Sequence, residues 1–154
     1  KPLIISSTNN NNSSSGDGVD IEYEHDEEQW SKEAIVGTCM NLEKAYLRLT
    51  SAPKPHEVRP EFVLAQCLEH IKQKWREAED FEESERKKVS VWAAEQFKSL
   101  RQDMRVQHIR SKLPIKVYET HARIAIECGD LPEYNQCAGR LSELYQSSIG
   151  QEVG

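Results

Sequence analysis

What this sequence lacks narrows its chemistry before anything it contains. It has no glycine-rich phosphate loop, no paired metal motif and no serine nucleophile elbow. No apolar run approaches the roughly twenty residues a membrane helix needs. Leu3-Ile4-Ile5 is too short for a secretory signal before the chain turns polar. These absences predict a soluble intracellular protein with no membrane contact. Cysteine is sparse: Cys39, Cys67, Cys128 and Cys137 follow no short-framework spacing, so reduced buried thiols are expected rather than disulfides. Cys67 and His70 have the spacing of half a metal site, but no second close pair follows, and structural zinc needs about four ligands. Neither metal nor cofactor is expected.

What is present suits one modest helical domain, with 37% hydrophobic and 30% charged residues. A net charge of −6 argues against indiscriminate polyanion binding, while leaving room for a local basic patch. The chain begins at Lys1 rather than Met, as a piece of something longer would. Asn9 to Asn12 and Ser13 to Ser15 form a polar low-complexity run, followed by the acids Asp17, Asp20, Glu22, Glu24, Asp26, Glu27 and Glu28. Such a segment cannot bury enough surface to offset its ordering entropy, so residues 1–26 are expected to be a disordered arm.

Helical periodicity takes over from residue 27. A first helix is predicted from near Glu27 to Leu49, burying Trp30, Ala34, Cys39, Leu42, Ala45, Tyr46 and Leu49, with an irregularity at Gly37. Pro53 and Pro55 end it, and Arg59-Pro60 opens a second, with Phe62, Val63, Ala65, Gln66, Leu68, Ile71 and Trp75 along it. The charged stretch Glu77 to Lys88 reads as a solvated helix end or a mobile loop. Ala93, Phe97, Leu100, Met104 and His108 then form an apolar stripe, each three or four residues from the last. Pro114 suits the first turn of the next helix, which carries Ile115, Tyr118, Ala122, Ala125 and Ile126. Cys128-Gly129-Asp130-Leu131-Pro132 is a stop and restart, leading into Tyr134, Cys137, Ala138, Leu141, Leu144 and Tyr145. The expected fold is all-α: about five antiparallel helices over residues 27–150, stacked as an irregular helical-hairpin solenoid similar in kind to tetratricopeptide repeats.

Candidates for chemistry fail on context. His121 and Cys128 share a helix but stand seven residues apart, about 10 Å along its axis, too far for direct proton transfer. A packed histidine and a buried thiol are expected instead, and no catalytic residue is assigned. The basic cluster Lys98, Arg101, Arg105, Arg110, Lys112 and Lys116 has two readings: contact with nucleic-acid phosphates, or ion pairs within the fold. Arg101 and Asp103 border the apolar seam, where unpaired charge is costly, which favours the internal reading for them. Lys98, Arg105 and Lys112 are the better surface candidates. A helix-turn-helix reader is disfavoured, because the second helix opens with Ile115, Val117 and Tyr118 and has only Lys116 as a base.

The run Lys98-Ser99-Leu100-Arg101-Gln102-Asp103 with Val106-Gln107, then Val117-Tyr118-Glu119-Thr120-His121-Ala122-Arg123-Ile124-Ala125, Gly129-Asp130 and Tyr134-Asn135-Gln136-Cys137, resembles the SAC/GANP family. Tyr46-Leu47-Arg48-Leu49-Thr50 and Val58-Arg59-Pro60 extend the likeness toward the branch of leukocyte receptor cluster member eight and its fungal counterpart. It covers roughly Leu42 to Tyr145; the stretch before Trp92 departs from the family pattern. The resemblance implies a non-catalytic nuclear scaffold of mRNA export or transcription-coupled processing. It implies that residues 27–150 are the amino-terminal helical part of a domain continuing into a PCI-type winged helix. A PCI-domain protein and a small acidic DSS/SEM-type protein are the implied partners, with RNA or DNA met by the joint surface. Arg101, Gln102, Asp103, Gln107, Tyr118, Glu119 and His121 become structural motif residues on this view. Lys98, Arg105, Arg110, Lys112 and Lys116 are the candidates for nucleic-acid or partner contact. The competing reading is a helical peptide-binding adaptor that never meets nucleic acid.

Overall fold

The computed structural model describes residues 34–152. Four helices follow one another: α1 (Glu61–Glu77), α2 (Glu83–Val106), α3 (Leu113–Glu127) and α4 (Leu131–Glu152), with short 3-10 turns at Pro55–Glu57 and Ala78–Asp80. No strand occurs among the described residues, so the all-α stack holds. None of these helices is long and apolar enough to cross a membrane. The expected arm lies outside the described residues.

The largest departure concerns the expected first helix. Residues 27–33 lie outside the described part, and residues 34–54 form no helix; they run as an irregular strap. Thr38 N–H donates to the Pro55 carbonyl and Cys39 N–H to the Val58 carbonyl, each at 2.9 Å. Those amides are therefore committed to another segment rather than to a helical turn. Val36, Met40, Leu42 and Leu47 point outward, the reverse of what an amphipathic helix would do with Leu42. Gly37 is where the strap comes closest to the body: a Cβ there would stand 2.1 Å from the Val58 carbonyl oxygen. Gly37→Ala is accordingly expected to lose about 1–3 kcal/mol in urea unfolding through this overlap. Limited proteolysis should cut the strap of the variant sooner, whereas Thr38→Ala, at an exposed neighbour, should behave as wild type.

From Pro60 onward the apolar stripes dictate the packing. The α1 helix buries Val63, Leu64, Cys67, Leu68, Ile71 and Trp75. Phe62, expected on that face, lies more than a quarter of a turn beyond its edge and is 59% exposed; Ala65 and Gln66 also face solvent. Much of the charged stretch forms the first turns of α2, where Glu83 and Glu85 suit the positive end of the helix dipole and Glu85 pairs with Lys88 at 2.6 Å. The α2 helix stops at Val106, so His108 does not extend the stripe; it adopts φ 52° and is exposed.

The α3 helix opens on Leu113-Pro114 and buries Val117, Tyr118, His121, Ala122, Ile124 and Ala125, leaving Ile126 outside. Its end is a Schellman cap: Gly129, at φ +74°, donates to the Ile126 carbonyl and Asp130 N–H to that of Ala125. The Asp130 carboxylate then accepts from Glu133 N–H at 3.2 Å, capping α4. This tight reversal lays α4 on α3, with Cys137 and Leu141 inward and Tyr134 and Leu144 partly covered. Phe97, Leu100 and Met104 of α2 join the same core, so α2 is the wall against which α1 and α3 pack, while α4 lies on α3.

Candidate functional site

The sequence places Arg101, Gln102 and Asp103 side by side, but on a helix residues two apart point about 200° away from each other. The α2 helix uses that divergence to serve two neighbours. Asp103 faces the strap. Its Oδ2 accepts from Arg59 Nε at 2.7 Å and Arg59 N–H at 3.3 Å, and its Oδ1 accepts from Lys44 Nζ at 2.6 Å. Arg59 is fully buried; its guanidinium also donates to Ser99 Oγ at 2.7 Å and to the Leu42 carbonyl at 3.4 Å.

A row of amides extends this clamp. Gln96 Oε1 accepts from Lys44 N–H at 3.2 Å, and Gln102 Nε2 donates to the Leu47 carbonyl at 2.8 Å. Gln107 is bound on both sides: Oε1 accepts from Gly37 N–H at 2.9 Å, while Nε2 donates to the Arg59 carbonyl at 2.6 Å and the Asp103 carbonyl at 2.9 Å. Gln96, Ser99, Asp103 and Gln107 recur at spacings of three, four and four, so one polar stripe of α2 receives the strap's backbone. A second clasp flanks it: Lys44 reaches α2, and Glu43 reaches α1, accepting from Lys74 Nζ at 2.8 Å and lying 2.8 Å from His70 Nε2. Hydrogen bonds from His70 and Lys74 hold the Glu43 carboxyl down at about 2.

Arg101 faces the other way. Its guanidinium pairs with Glu133 of α4 at 3.2 Å and lies over the Tyr118 ring, 5.6 Å from the centroid. His121 stacks flat on Phe97, with ring centroids 4.3 Å apart and planes 8° apart. Burial, with the Arg101 and Lys98 charges, holds its imidazole down to about 3. The ring is therefore neutral, and its 3.4 Å approach to Glu133 is no ion pair in practice. Glu119, on the outer side of α3, accepts a short hydrogen bond from the Tyr145 hydroxyl of α4, which raises the phenol.

A proton balance follows. Unfolded histidine titrates near 6.5 and the native ring at about 3, so in that interval the unfolded chain binds a proton the fold refuses. Stability is fully present above about 6.5 and is lost as pH falls, with a slope approaching about 1.4 kcal/mol per unit. Glu43 works in the same direction, but only between 4.5 and about 2. Urea midpoints measured between about pH 5 and 7 should thus show a slope that His121→Gln flattens.

None of this geometry is that of an active site. Cys67 and Cys137 are buried as expected, whereas Cys39 is half-buried and Cys128, expected to be buried, is exposed at the C-cap of α3. Desolvation pushes the thiols of Cys67, Cys128 and Cys137 upward, Cys137 to about 12, the opposite of an activated nucleophile. His121, Glu133 and Cys137 bring one potential metal ligand each within 4.8 Å of one another. The Arg101 guanidinium already holds the Glu133 carboxylate, however, and a cation would have to expel that charge from a buried site. Cys67 and His70, the pair noticed in sequence, are divided between Arg59 and Glu43.

The basic cluster separates into two groups. Lys98 and Arg105 are half-buried on α2, while Arg110, Lys112 and Lys116 are exposed around the α2–α3 loop. Lys112 and Lys116 line an open cleft of about 590 Å³ with Ser111, Leu113, Glu61, Phe62 and Ala65. Sequence reading assigned no role to Arg59, Gln96 or Ser99. The repeat of polar residues along α2 is a signal that could have found Gln96 and Ser99, whereas Arg59, ahead of α1, carries none.

Comparison with known proteins gives a consistent family. The SAC3/GANP family profile matches residues 20–146. A THP3 homolog from Schizosaccharomyces pombe is 50% identical over 116 residues, 75% of this chain and 27% of that protein. SAC3 family protein A of Arabidopsis thaliana is 46% identical over 120 residues, 78% of this chain and 11% of its own length. A leukocyte receptor cluster member 8 homolog from Xenopus laevis is 40% identical over 154 residues, all of this chain and 17% of the relative. The chain thus spans little more than a quarter, at most, of these relatives.

Proposed function

The chain belongs to the SAC3/GANP family, and from that premise we propose that it is part of a non-catalytic nuclear scaffold serving mRNA export or transcription-coupled mRNA processing. Its helical stack joins a PCI-domain partner and a small acidic DSS/SEM-type protein, and the assembly meets nucleic acid. One observation carries the scaffold reading: the buried polar groups are spent on fastening the fold. Arg59, Gln96, Gln102, Asp103 and Gln107 hold the strap, and Arg101 holds α4. Polar groups so satisfied rigidify a body rather than stand poised for proton transfer. The peptide-adaptor alternative has less support, because the groove that accepts a non-helical backbone is filled by the chain's own residues 37–47.

Purification of the full-length protein from nuclei, with its stoichiometric partners identified, tests the proposal. A PCI-domain protein and a small acidic protein in equal amounts, together with bound RNA, are expected. A peptide-bearing client without either would favour the adaptor.

A further inference from the structure

We propose that the cleft between the start of α1 and the α2–α3 loop is a contact site for single-stranded RNA, with a base stacked on Phe62 and phosphates held by Lys112 and Lys116. The inference rests on the reading above that the assembly meets nucleic acid, and it names the place and the chemistry.

Phe62 is the first support. It is the second residue of α1, and its ring stays 59% exposed although Val63 and Leu64 beside it are buried. An exposed aromatic ring on a rigid helix is a stacking platform for any base. Charge is the second. Lys112, the N-cap of α3, and Lys116, four residues on, both line the cleft that Phe62 lines from α1. Among the described residues neither side chain has an ion pair or hydrogen bond, whereas Lys44, Arg59, Lys74, Arg101 and Arg140 each have a carboxylate partner. In a chain of net charge −6, two adjacent cations that form no ion pair among the described residues, beside a bare aromatic ring, are a combination that binds single strands. Arg110, exposed in the same loop, extends the positive track.

Glu61 lines the opposite rim. It opposes phosphate on that side and so orients the strand, with the backbone along α3 and the base toward α1. The same geometry argues against an acidic peptide, which has charge to offer the lysines but no planar ring at each unit for Phe62.

The test is fluorescence anisotropy on the full-length protein in its assembly, using a labelled mixed-sequence RNA of about 15 nucleotides. Phe62→Ala is expected to weaken binding about tenfold with the salt slope unchanged. The double variant Lys112→Ala/Lys116→Ala should weaken it similarly and lower the slope of log affinity against log salt by about 1.4. Glu61→Gln should tighten binding. All four positions are exposed, and unchanged thermal melting would show that the fold is intact. Wild-type affinity and slope in both weakening variants would overturn the site, as would binding of an acidic aromatic peptide, but not RNA, in a Phe62-dependent manner. If the PCI partner still co-purifies in either case, the scaffold reading stands and only the cleft falls; loss of that partner would count against the scaffold itself.

Discussion

Asp103→Asn is expected to cost about 3–5 kcal/mol of unfolding free energy in urea, among the largest effects of any single change in the chain. The asparagine keeps the shape of the side chain but removes the charge between two cations. Arg59, fully buried at 2.7 Å, then has no counter-charge, and Lys44 loses its 2.6 Å partner. Most of the loss reflects the stranded guanidinium rather than the net value of the pair, because a buried ion pair gains little over well-packed apolar groups. The double variant Arg59→Met/Asp103→Leu therefore discriminates. It should recover much of the stability, while leaving the strap weaker at Leu42, where Arg59 reaches the carbonyl. A double variant as unstable as the sum of the two single variants would mean that Arg59 and Asp103 have no coupling energy and contribute independently.

Phe97→Ala should cost a comparable amount, about 3–5 kcal/mol, by opening a cavity where three helices meet. Phe97 is fully buried in α2, and its far face carries the His121 ring of α3. A second readout separates this cavity from simple loosening. With the stacked ring gone, water reaching the imidazole should let His121 titrate well above its native value of about 3, toward 6.5, as followed by NMR. Phe97→Leu, which refills most of the volume, should restore stability in part and keep the histidine low.

The contrast between these two sites explains what could be read from the sequence. Phe97, Leu100, Tyr118, Cys137 and Leu141 lie on stripes of helical period, so the seam of α2, α3 and α4 was legible as a pattern. Pro114 and Gly129 marked their boundaries because the chemistry of each is local: a missing N–H in one case and an accessible left-handed conformation in the other. The strap failed for the opposite reason. Cys39, Leu42, Tyr46 and Leu49 happen to repeat at helical spacing, but the groups that decide their conformation are Gln96, Gln102 and Gln107, 52 to 70 residues away. Local propensity loses to such distant partners, and no window along the chain contains them. Of the site, Arg101 and Asp103 were legible as internal charges because both border the seam. Their opposite directions and the Arg59 partner became visible only in three dimensions. The basic residues were legible as a cluster but not as two groups, since burial rather than spacing separates Lys98 and Arg105 from Lys112 and Lys116.

The strap is gripped chiefly by its peptide groups: the amides of Gly37 and Lys44 and the carbonyls of Leu42 and Leu47 make the bonds, with Glu43 and Lys44 adding side-chain clasps. A receptor that recognises peptide groups is indifferent to most of what the strand carries on its far side. Val36, Met40 and Leu47 can therefore be rewritten as glutamate, as a fluorophore-bearing residue or as a crosslinker without loosening the attachment, and such labels would report on whatever approaches that flank of the molecule.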